Sequence, residues 1–164
     1  MKTIILFRHS ESGWNSQYGS DHERSLTENG IEVAKKMGLY LSKINSIPDS
    51  IISSTALRAK STAKLAKEEG KWNSKFKLEE GMYGGDPLFL IELIKNQDNS
   101  IDSLCLTGHE PHFSSFICKV INENHIYFPT ASMARIDFLV GKWKDVDFNN
   151  SKLAWLVKPE ELQI

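Results

Sequence analysis

Short apolar runs alternate along the chain with longer stretches in which apolar residues recur every three or four positions. Short runs rich in β-branched and aromatic side chains are typical of strands. They occur at residues 3–7, 50–53, 76–78, 101–107, 132–140 and 153–157. Because these strands alternate with helical stretches, we expect an α/β fold, a three-layer α/β/α sandwich around a mostly parallel central sheet.

Two helices are predicted in the first half of the chain. Apolar residues recur at helical spacing over residues 31–44, and either Ser25 or Thr27 suits the N-cap of this helix. The second helix begins within residues 54–59 and carries alanines at positions 59, 63 and 66, which lie on one side of a helix. We expect these small residues to let the helix pack closely on the sheet.

Two further helices are predicted in the second half. Asp86 and Pro87 suit the N-cap and the first position of the third helix. Pro111 suits the first turn of the fourth helix, because a proline there removes no helical hydrogen bond. The glycine-containing stretch 79–86, before the third helix, is expected to be a flexible loop.

Length and charge narrow the classes of function. With 164 residues, a single domain spanning 1–164 is expected. The net charge of −1 and the dispersed basic residues argue against a nucleic-acid or membrane partner. The N-terminal apolar run is too short for a signal peptide. Cys105 and Cys118 lack C-x-x-C spacing and are expected to be small core residues in a reducing compartment. We therefore expect a cytoplasmic protein. No His, Asp and Glu set has metal-ligand spacing, so neither a metal nor another cofactor is expected.

Histidines and arginines follow three of the predicted strands. Arg8 and His9 end the first strand, His109 follows the strand at 101–107, and Arg58 lies in the first turn of the second helix. The carboxyl ends of parallel strands meet at one sheet edge, where ligands bind. Two arginines there would clamp a phosphate, one histidine would attack phosphorus, and the other would donate a hydrogen bond as an imidazolium. The pattern therefore indicates phosphoryl transfer.

Four ordered motifs resemble those of the histidine phosphatase superfamily, also called the phosphoglycerate mutase-like superfamily. An Arg-His motif continues to a Trp-Asn pair, followed by Leu-Thr-x-x-Gly, Ser-x-x-x-Arg-Ala-x-x-Thr and a late Gly-His. In this chain they stand at residues 8–15, 26–30, 54–62 and 108–109. The resemblance implies the phosphoglycerate mutase-like fold over most of the chain.

The same resemblance implies roles for individual residues. It makes His9 the phosphorylated nucleophile and places Arg8, Arg58 and His109 in the phosphate pocket. Asn15 would add a further phosphate contact. Arg24, directly before the Leu-Thr element, is either another phosphate contact or a solvated surface residue; the sequence leaves both open.

A general acid is implied less directly. The stretch 78–84 resembles a family loop of the pattern Leu-x-Glu-x-x-Tyr-Gly, which aligns Glu80 with the acid. Asp86 is the rival, and Glu79 is expected to be solvated. The histidines outside the motifs, His22 and His125, are expected to be exposed loop residues.

Ser10 departs from the family pattern, which has glycine after the histidine. If the backbone requires a positive φ at this position, serine strains the loop. Alternatively, the Ser10 hydroxyl contacts the ligand. This departure keeps open a non-catalytic phosphate- or protein-binding module that has lost turnover.

The short spacing of the motifs favours one branch of the family. Only 50 residues lie between Arg58 and His109, whereas phosphoglycerate mutases carry insertions there. The bare core is similar to the SixA-like phosphohistidine phosphatases, whose open pocket would admit a histidine-phosphorylated protein. The pair Trp14-Asn15 points back to mutase-like enzymes, so a small-molecule phosphomonoesterase is the alternative.

Overall fold

The computed structural model describes residues 1–14 and 19–162, and its centre is one six-stranded sheet. The strand order is β3-β2-β4-β1-β5-β6. The strands are β1 (Lys2–Arg8), β2 (Ser50–Ser54), β3 (Lys75–Glu79), β4 (Ser103–Gly108), β5 (Met133–Phe138) and β6 (Ser151–Val157). β3, β2, β4 and β1 run parallel; at one edge β5 pairs antiparallel with β1, and β6 pairs antiparallel with β5. The mostly parallel sheet that the sequence predicts is confirmed.

Within the described part of the chain, four α-helices cover the two faces of the sheet. They are α1 (Glu28–Lys43), α2 (Leu57–Glu69), α3 (Pro87–Lys95) and α4 (His112–Ile121). Side chains of α1 and α2 share one buried cluster with Ile5 and Phe7 of β1. Side chains of α3 and α4 share the other cluster with Ile4 and Leu6, which point to the opposite face of the same strand. The predicted three-layer sandwich is therefore confirmed.

Two helices, α1 and α3, start at predicted capping residues, whereas Pro111 lies at the N-cap of α4, one position before the first turn predicted for it. Thr27, one of the two candidates, caps α1, because its hydroxyl oxygen accepts a hydrogen bond from Gly30 N. Asp86 caps α3 by accepting from Phe89 N, with Pro87 at the first helical position. These caps fix where each chain segment leaves the sheet edge and enters its helix.

Helix α2 packs closely against α1, and two of its alanines lie in the cluster that also contains side chains of the sheet. Ala63 and Ala66 are fully buried. A Cβ at Gly38 of α1 would clash with the backbone of Ala66, so the glycine is what permits the short distance between the helices. This contact fixes the C-terminal half of α2 against α1.

Two expectations need correction. Residues 79–86 are not simply a flexible loop, because Glu80–Tyr83 forms a 3-10 turn directly after β3. His22 is not an exposed loop residue: it is half-buried within a second 3-10 turn, Asp21–Glu23. Both turns lie beside the carboxyl edge of the parallel strands. The hydrophobic pattern of the sequence does not predict these 3-10 turns, because they are only three or four residues long.

No helix in residues 1–14 and 19–162 is both long and apolar enough to cross a membrane. In the same part of the chain, no group of three or more His, Cys, Asp and Glu residues is placed to hold a metal ion. The cytoplasmic location stays a prediction.

Candidate active site

The two histidines meet because β1 and β4 are parallel neighbours in register. Arg8 lies opposite Gly108, and His9 N donates a hydrogen bond to Gly108 O at 3.0 Å. Both strands end at this level, so His9 and His109 enter the same space with ring centroids 5.4 Å apart. Chain connections leave β1 and β4 on opposite sides of the sheet, which is the position where open α/β sheets bind ligands.

The neighbouring strand β2 brings the third part of the site. Ser53 pairs with Thr107, so Ser54 reaches the level of His109 and its Oγ lies 2.8 Å from His109 Nε2. Arg58 follows in the first turn of α2 and is 7% exposed. The structure therefore brings together Arg8, His9, Arg58 and His109, as the strand ends predict. We call these four residues and Ser54 the pocket floor.

His9 has the tautomer and the charge that a nucleophile needs. Its Nδ1 lies 2.7 Å from Ser10 O, and since a carbonyl oxygen only accepts, Nδ1 carries the proton. Nε2 is left with its lone pair free. Burial is the main cause that lowers the pKa of His9 to about 4, and the charges of Arg58 and Arg8 lower it further. At neutral pH the ring is uncharged.

Burial and neighbouring charges keep His109 neutral as well in this structure, and its role as an imidazolium donor to a phosphate stays a prediction. Burial first, then His9 and Arg58, lowers its pKa to about 3. Ser54 Oγ accepts from Ala56 N, so its hydroxyl hydrogen can go to His109 Nε2. That arrangement leaves His109 with a proton on Nδ1, ready to donate.

Unpaired buried donors gather on the pocket floor. Within the described residues, Arg8 Nε, Arg58 Nε and His109 Nδ1 are buried and have no hydrogen-bond partner. Arg8 is held by a bond from Nη1 to Phe128 O at 2.9 Å. Buried donors are costly unless paired, and three of them beside two guanidinium charges favour an anionic ligand. The arrangement suits a phosphoryl group.

The second half of the pocket is a set of loop residues that we call the pocket rim: Asp21, His22, Arg24 and Tyr83. The Asp21 carboxylate accepts from Arg24 Nη1 at 2.9 Å, Arg58 Nη2 at 3.0 Å and Tyr83 OH at 2.6 Å. The backbone oxygen of Asp21 accepts from Arg58 Nη1 at 2.8 Å. Asp21 therefore links the rim to the floor.

Aromatic contacts complete the rim. His22 Nε2 lies 2.9 Å from Thr55 Oγ1, and its ring meets Tyr83 edge to face at 4.8 Å. Tyr83 in turn meets the ring of His109 at 5.5 Å. Tyr83 belongs to the stretch aligned with the family's acid loop, but Asp21 and His22 carried no motif. Their only signal was position, close before Arg24.

Arg24 is not a solvated surface residue. Its side chain is 13% exposed, donates to Ser12 Oγ at 2.8 Å and stacks on the Trp14 ring at 3.6 Å. Its charge is one of the influences that lower the pKa of His9, so it lies within electrostatic range of that ring. A phosphate contact by Arg24 stays a prediction. Asn15, the other predicted contact, lies outside the described residues.

Ser10 causes no backbone strain. It is absent from the described non-glycine residues with positive φ, so serine is acceptable where the family has glycine. Its hydroxyl is fully buried and donates to Gly30 O at 2.7 Å, rather than facing a ligand. A Cβ at Gly30 would clash with Glu11 O, which explains the glycine of the Leu-Thr-x-x-Gly motif. This motif clamps the loop that follows His9.

The two candidate acids differ in their surroundings. Asp86 accepts a hydrogen bond from Phe89 N at 3.0 Å and serves as the cap of α3. Glu80 is exposed at the first residue of the 3-10 turn that also carries Tyr83, and its carboxyl forms no hydrogen bond or ion pair with another described residue. Its carboxyl is therefore free to turn toward the pocket, and its role stays a prediction.

Known proteins resemble this chain over most of its length. An uncharacterized protein of Mycobacterium tuberculosis is 29% identical over 153 residues, covering 85% of this chain and 91% of the relative. A 2,3-bisphosphoglycerate-dependent phosphoglycerate mutase of Erythrobacter litoralis is 36% identical over 92 residues, covering 52% of this chain and 40% of the mutase. The structure of the protein histidine phosphatase SixA complexed with tungstate has a TM-score of 0.84 at 19% identity, covering 98% and 99% of the two chains.

The family model of the histidine phosphatase superfamily (branch 1) matches residues 4–85. That range contains three of the four motifs, together with Arg8, His9 and Arg58 of the pocket floor. His109, the remaining histidine, joins them through the register of β1 and β4. The chain belongs to the histidine phosphatase superfamily, branch 1.

Proposed function

We propose that the protein is a phosphatase in which His9 is phosphorylated as an intermediate, and that its substrate is phosphohistidine on a protein. One observation carries the first part of the proposal. His9 is neutral, its Nδ1 proton is held by Ser10 O, and its free Nε2 lies on a floor with two arginines. A nucleophile in this state needs no base to activate it.

In the first step Nε2 of His9 attacks phosphorus in line. The bond from phosphorus to the leaving group breaks, and the leaving atom takes the electron pair and a proton. Arg8 and Arg58 stabilise the charge that spreads over the phosphoryl oxygens. In the second step water attacks the phosphohistidine, the P–N bond breaks, and inorganic phosphate and free His9 result.

His109 acts as a hydrogen-bond donor in both steps. Because Ser54 Oγ occupies Nε2 of His109, the proton of that ring lies on Nδ1. This Nδ1 has no hydrogen-bond partner among the described residues. A phosphoryl oxygen would accept this proton's hydrogen bond, and the bound dianion would raise the pKa of His109 from its value of about 3. The ring then gains positive character only when substrate is present.

Two features support a protein phosphohistidine as the substrate. The segment between α2 and β4 contains β3, a 3-10 turn and α3, and no inserted domain. The fold is also similar to the SixA structure. The acid requirement is also low, because an imidazole leaving group can be protonated by solvent. Glu80, exposed and without a fixed partner, suits an auxiliary acid.

A small-molecule phosphomonoesterase is the second candidate. It is favoured by the partial similarity to a phosphoglycerate mutase. The third hypothesis, a binding module without turnover, depended on strain at Ser10, and that residue has no positive φ.

The test is hydrolysis of a histidine-phosphorylated phosphotransfer domain beside p-nitrophenyl phosphate, by the unmodified protein and by His9→Ala. We expect rapid loss of protein phosphohistidine, slow ester cleavage, and loss of both by at least about 10³-fold in His9→Ala. His125→Ala, which changes an exposed histidine, is the matched control.

Efficient ester cleavage with inert phosphohistidine would contradict the protein substrate and favour the small-molecule enzyme. Turnover that survives in His9→Ala would contradict the phosphohistidine intermediate. Acid-labile ³²P on the unmodified protein, absent from His9→Ala, is the direct check of the intermediate.

A further inference from the structure

Asp21 is the one acidic side chain among the residues of the pocket floor and rim. Its carboxylate binds Arg24, Arg58 and Tyr83 together, at 2.6 to 3.0 Å. Tyr83 and Arg24, with Arg58, hold the pKa of Asp21 well below its usual range. The side chain is therefore a permanent negative charge at neutral pH, although it is 41% exposed.

The position of this charge brings it close to a bound substrate. Arg58 donates to Asp21 with Nη2 and has its Nε unpaired within the described residues. A phosphoryl oxygen on Arg58 would thus be separated from the carboxylate by one guanidinium group, or about 6 Å for two hydrogen bonds in series. The field of Asp21 also reaches His109, whose pKa it raises.

We propose that Asp21 is a specificity-determining residue, which disfavours substrates whose leaving group carries a negative charge of its own. The proposal rests on the phosphate site of the proposed function. The pocket would then prefer a phosphoryl group on a neutral leaving group, such as imidazole. It would disfavour phosphate esters in which the alcohol part also carries a carboxylate.

The charge balance of the pocket supports this selectivity. Three guanidinium groups, those of Arg8, Arg24 and Arg58, lie within electrostatic range of His9, where the phosphoryl dianion of the proposed function would bind. Asp21 offsets part of that positive charge through its two ion pairs, and Glu110 acts electrostatically on Arg8. The phosphoryl dianion neutralises the positive charge that remains. A further anion on the leaving group is therefore repelled by the Asp21 carboxylate and finds no unpaired cation.

The experiment compares two ligands that share a phosphate ester and differ by one carboxylate: glycerol 3-phosphate and 3-phosphoglycerate. Titration calorimetry at pH 7.5 measures the dissociation constant of each ligand for His9→Ala, in which no covalent intermediate forms. The same measurement follows for His9→Ala with Asp21→Asn. The ratio of the two dissociation constants is the readout, because a general loss of phosphate affinity cancels in it.

We expect Asp21→Asn to shift the ratio toward 3-phosphoglycerate by roughly fivefold to tenfold, the size of one screened charge contact at this range. Glu92→Gln removes an exposed charge that has no ion pair among the described residues, and it should leave the ratio unchanged. An unchanged ratio in Asp21→Asn, with both ligands still bound, would overturn the role of Asp21 alone. Failure of both ligands and of tungstate to bind would overturn the phosphate site, and with it both proposals.

A second measurement needs no change at Asp21. If the rim repels the carboxylate, raising the salt from about 50 to about 500 mM improves binding of 3-phosphoglycerate relative to glycerol 3-phosphate, because salt screens the repulsion. A ratio that moves the other way would show that the rim attracts the second anion, and would contradict the proposal even if Asp21→Asn does not fold.

Discussion

The pocket floor and the pocket rim are built in different ways. Floor residues stand at strand ends and in the first turn of α2, where hydrogen-bonded register fixes them: Arg8 pairs with Gly108 and Ser53 with Thr107. Rim residues lie in 3-10 turns or, for Arg24, directly after one, and they are held by side chains, above all by Asp21. The difference suggests a division of work in which the floor performs the chemistry and the rim selects the leaving group.

The largest effect that tests this division is expected from the two arginines that share Asp21. Arg58→Lys keeps the charge but loses the planar fork on the floor, and removal of a transition-state donor typically costs about 10²–10³-fold in turnover. Arg24→Lys on the rim should cost about tenfold, the loss of one charge-assisted hydrogen bond. The check is kcat/KM on phosphohistidine protein for both variants.

Thermal unfolding of the same two variants is the control, since each also loses a contact to Asp21. Equal losses of kcat/KM at matched stability would contradict the distinction between floor and rim. A larger loss in Arg24→Lys would reverse it.

The second effect is the pH dependence of stability that the floor histidines impose. Unfolded histidine titrates near pH 6.5, whereas the pKa values of folded His9 and His109 are about 4 and about 3. Between those values and pH 6.5 the unfolded state binds more protons, so the free energy of unfolding decreases as the pH falls through this window. We expect a loss of roughly 2 kcal/mol per histidine between pH 7 and pH 5.

Urea unfolding of the unmodified protein, His9→Ala and the exposed control His125→Ala at the two pH values measures this loss. The dependence should be shallower in His9→Ala and unchanged in His125→Ala. Identical slopes in all three proteins would mean that the floor histidines are not neutral in the folded state.

The sequence predicts the floor far better than the rim, for a physical reason. Arg8, His9 and His109 follow apolar runs. Neighbouring parallel strands bring the ends of such runs together, whatever the conformation of the loops. No such rule predicts the position of Asp21 and His22. Their three-residue turn is held by contacts to Arg58 and Tyr83, which are more than 30 positions away in the sequence. The sequence could not decide between strain and a ligand contact at Ser10 for a related reason: φ depends on the path of the loop, which residue type alone does not specify.

Glu80 gives the third effect, which is specific to the leaving group. If its carboxyl protonates an ester oxygen, Glu80→Gln should slow p-nitrophenyl or alkyl ester cleavage by up to about tenfold and leave phosphohistidine hydrolysis nearly unchanged. Asp86→Asn is the matched control, since asparagine also caps α3 and the residue is engaged with Phe89 N. Equal loss on both substrates in Glu80→Gln would contradict the role of a leaving-group acid.

The smallest effect is expected at Ser10, which belongs to the floor's loop but does not face the pocket. Ser10→Gly restores the residue typical of the family and removes the hydrogen bond to Gly30 O. We expect a loss of stability of about 1 kcal/mol from the hydrogen bond and the freer unfolded chain, measured by urea unfolding. Activity should change by less than about twofold, because the backbone N–H of Ser10 still donates to Thr62 Oγ1 and the carbonyl still holds His9 Nδ1. A loss of kcat/KM of about tenfold or more at unchanged stability would place the Ser10 hydroxyl on the substrate, and would move this residue from the scaffold of the floor into its chemistry.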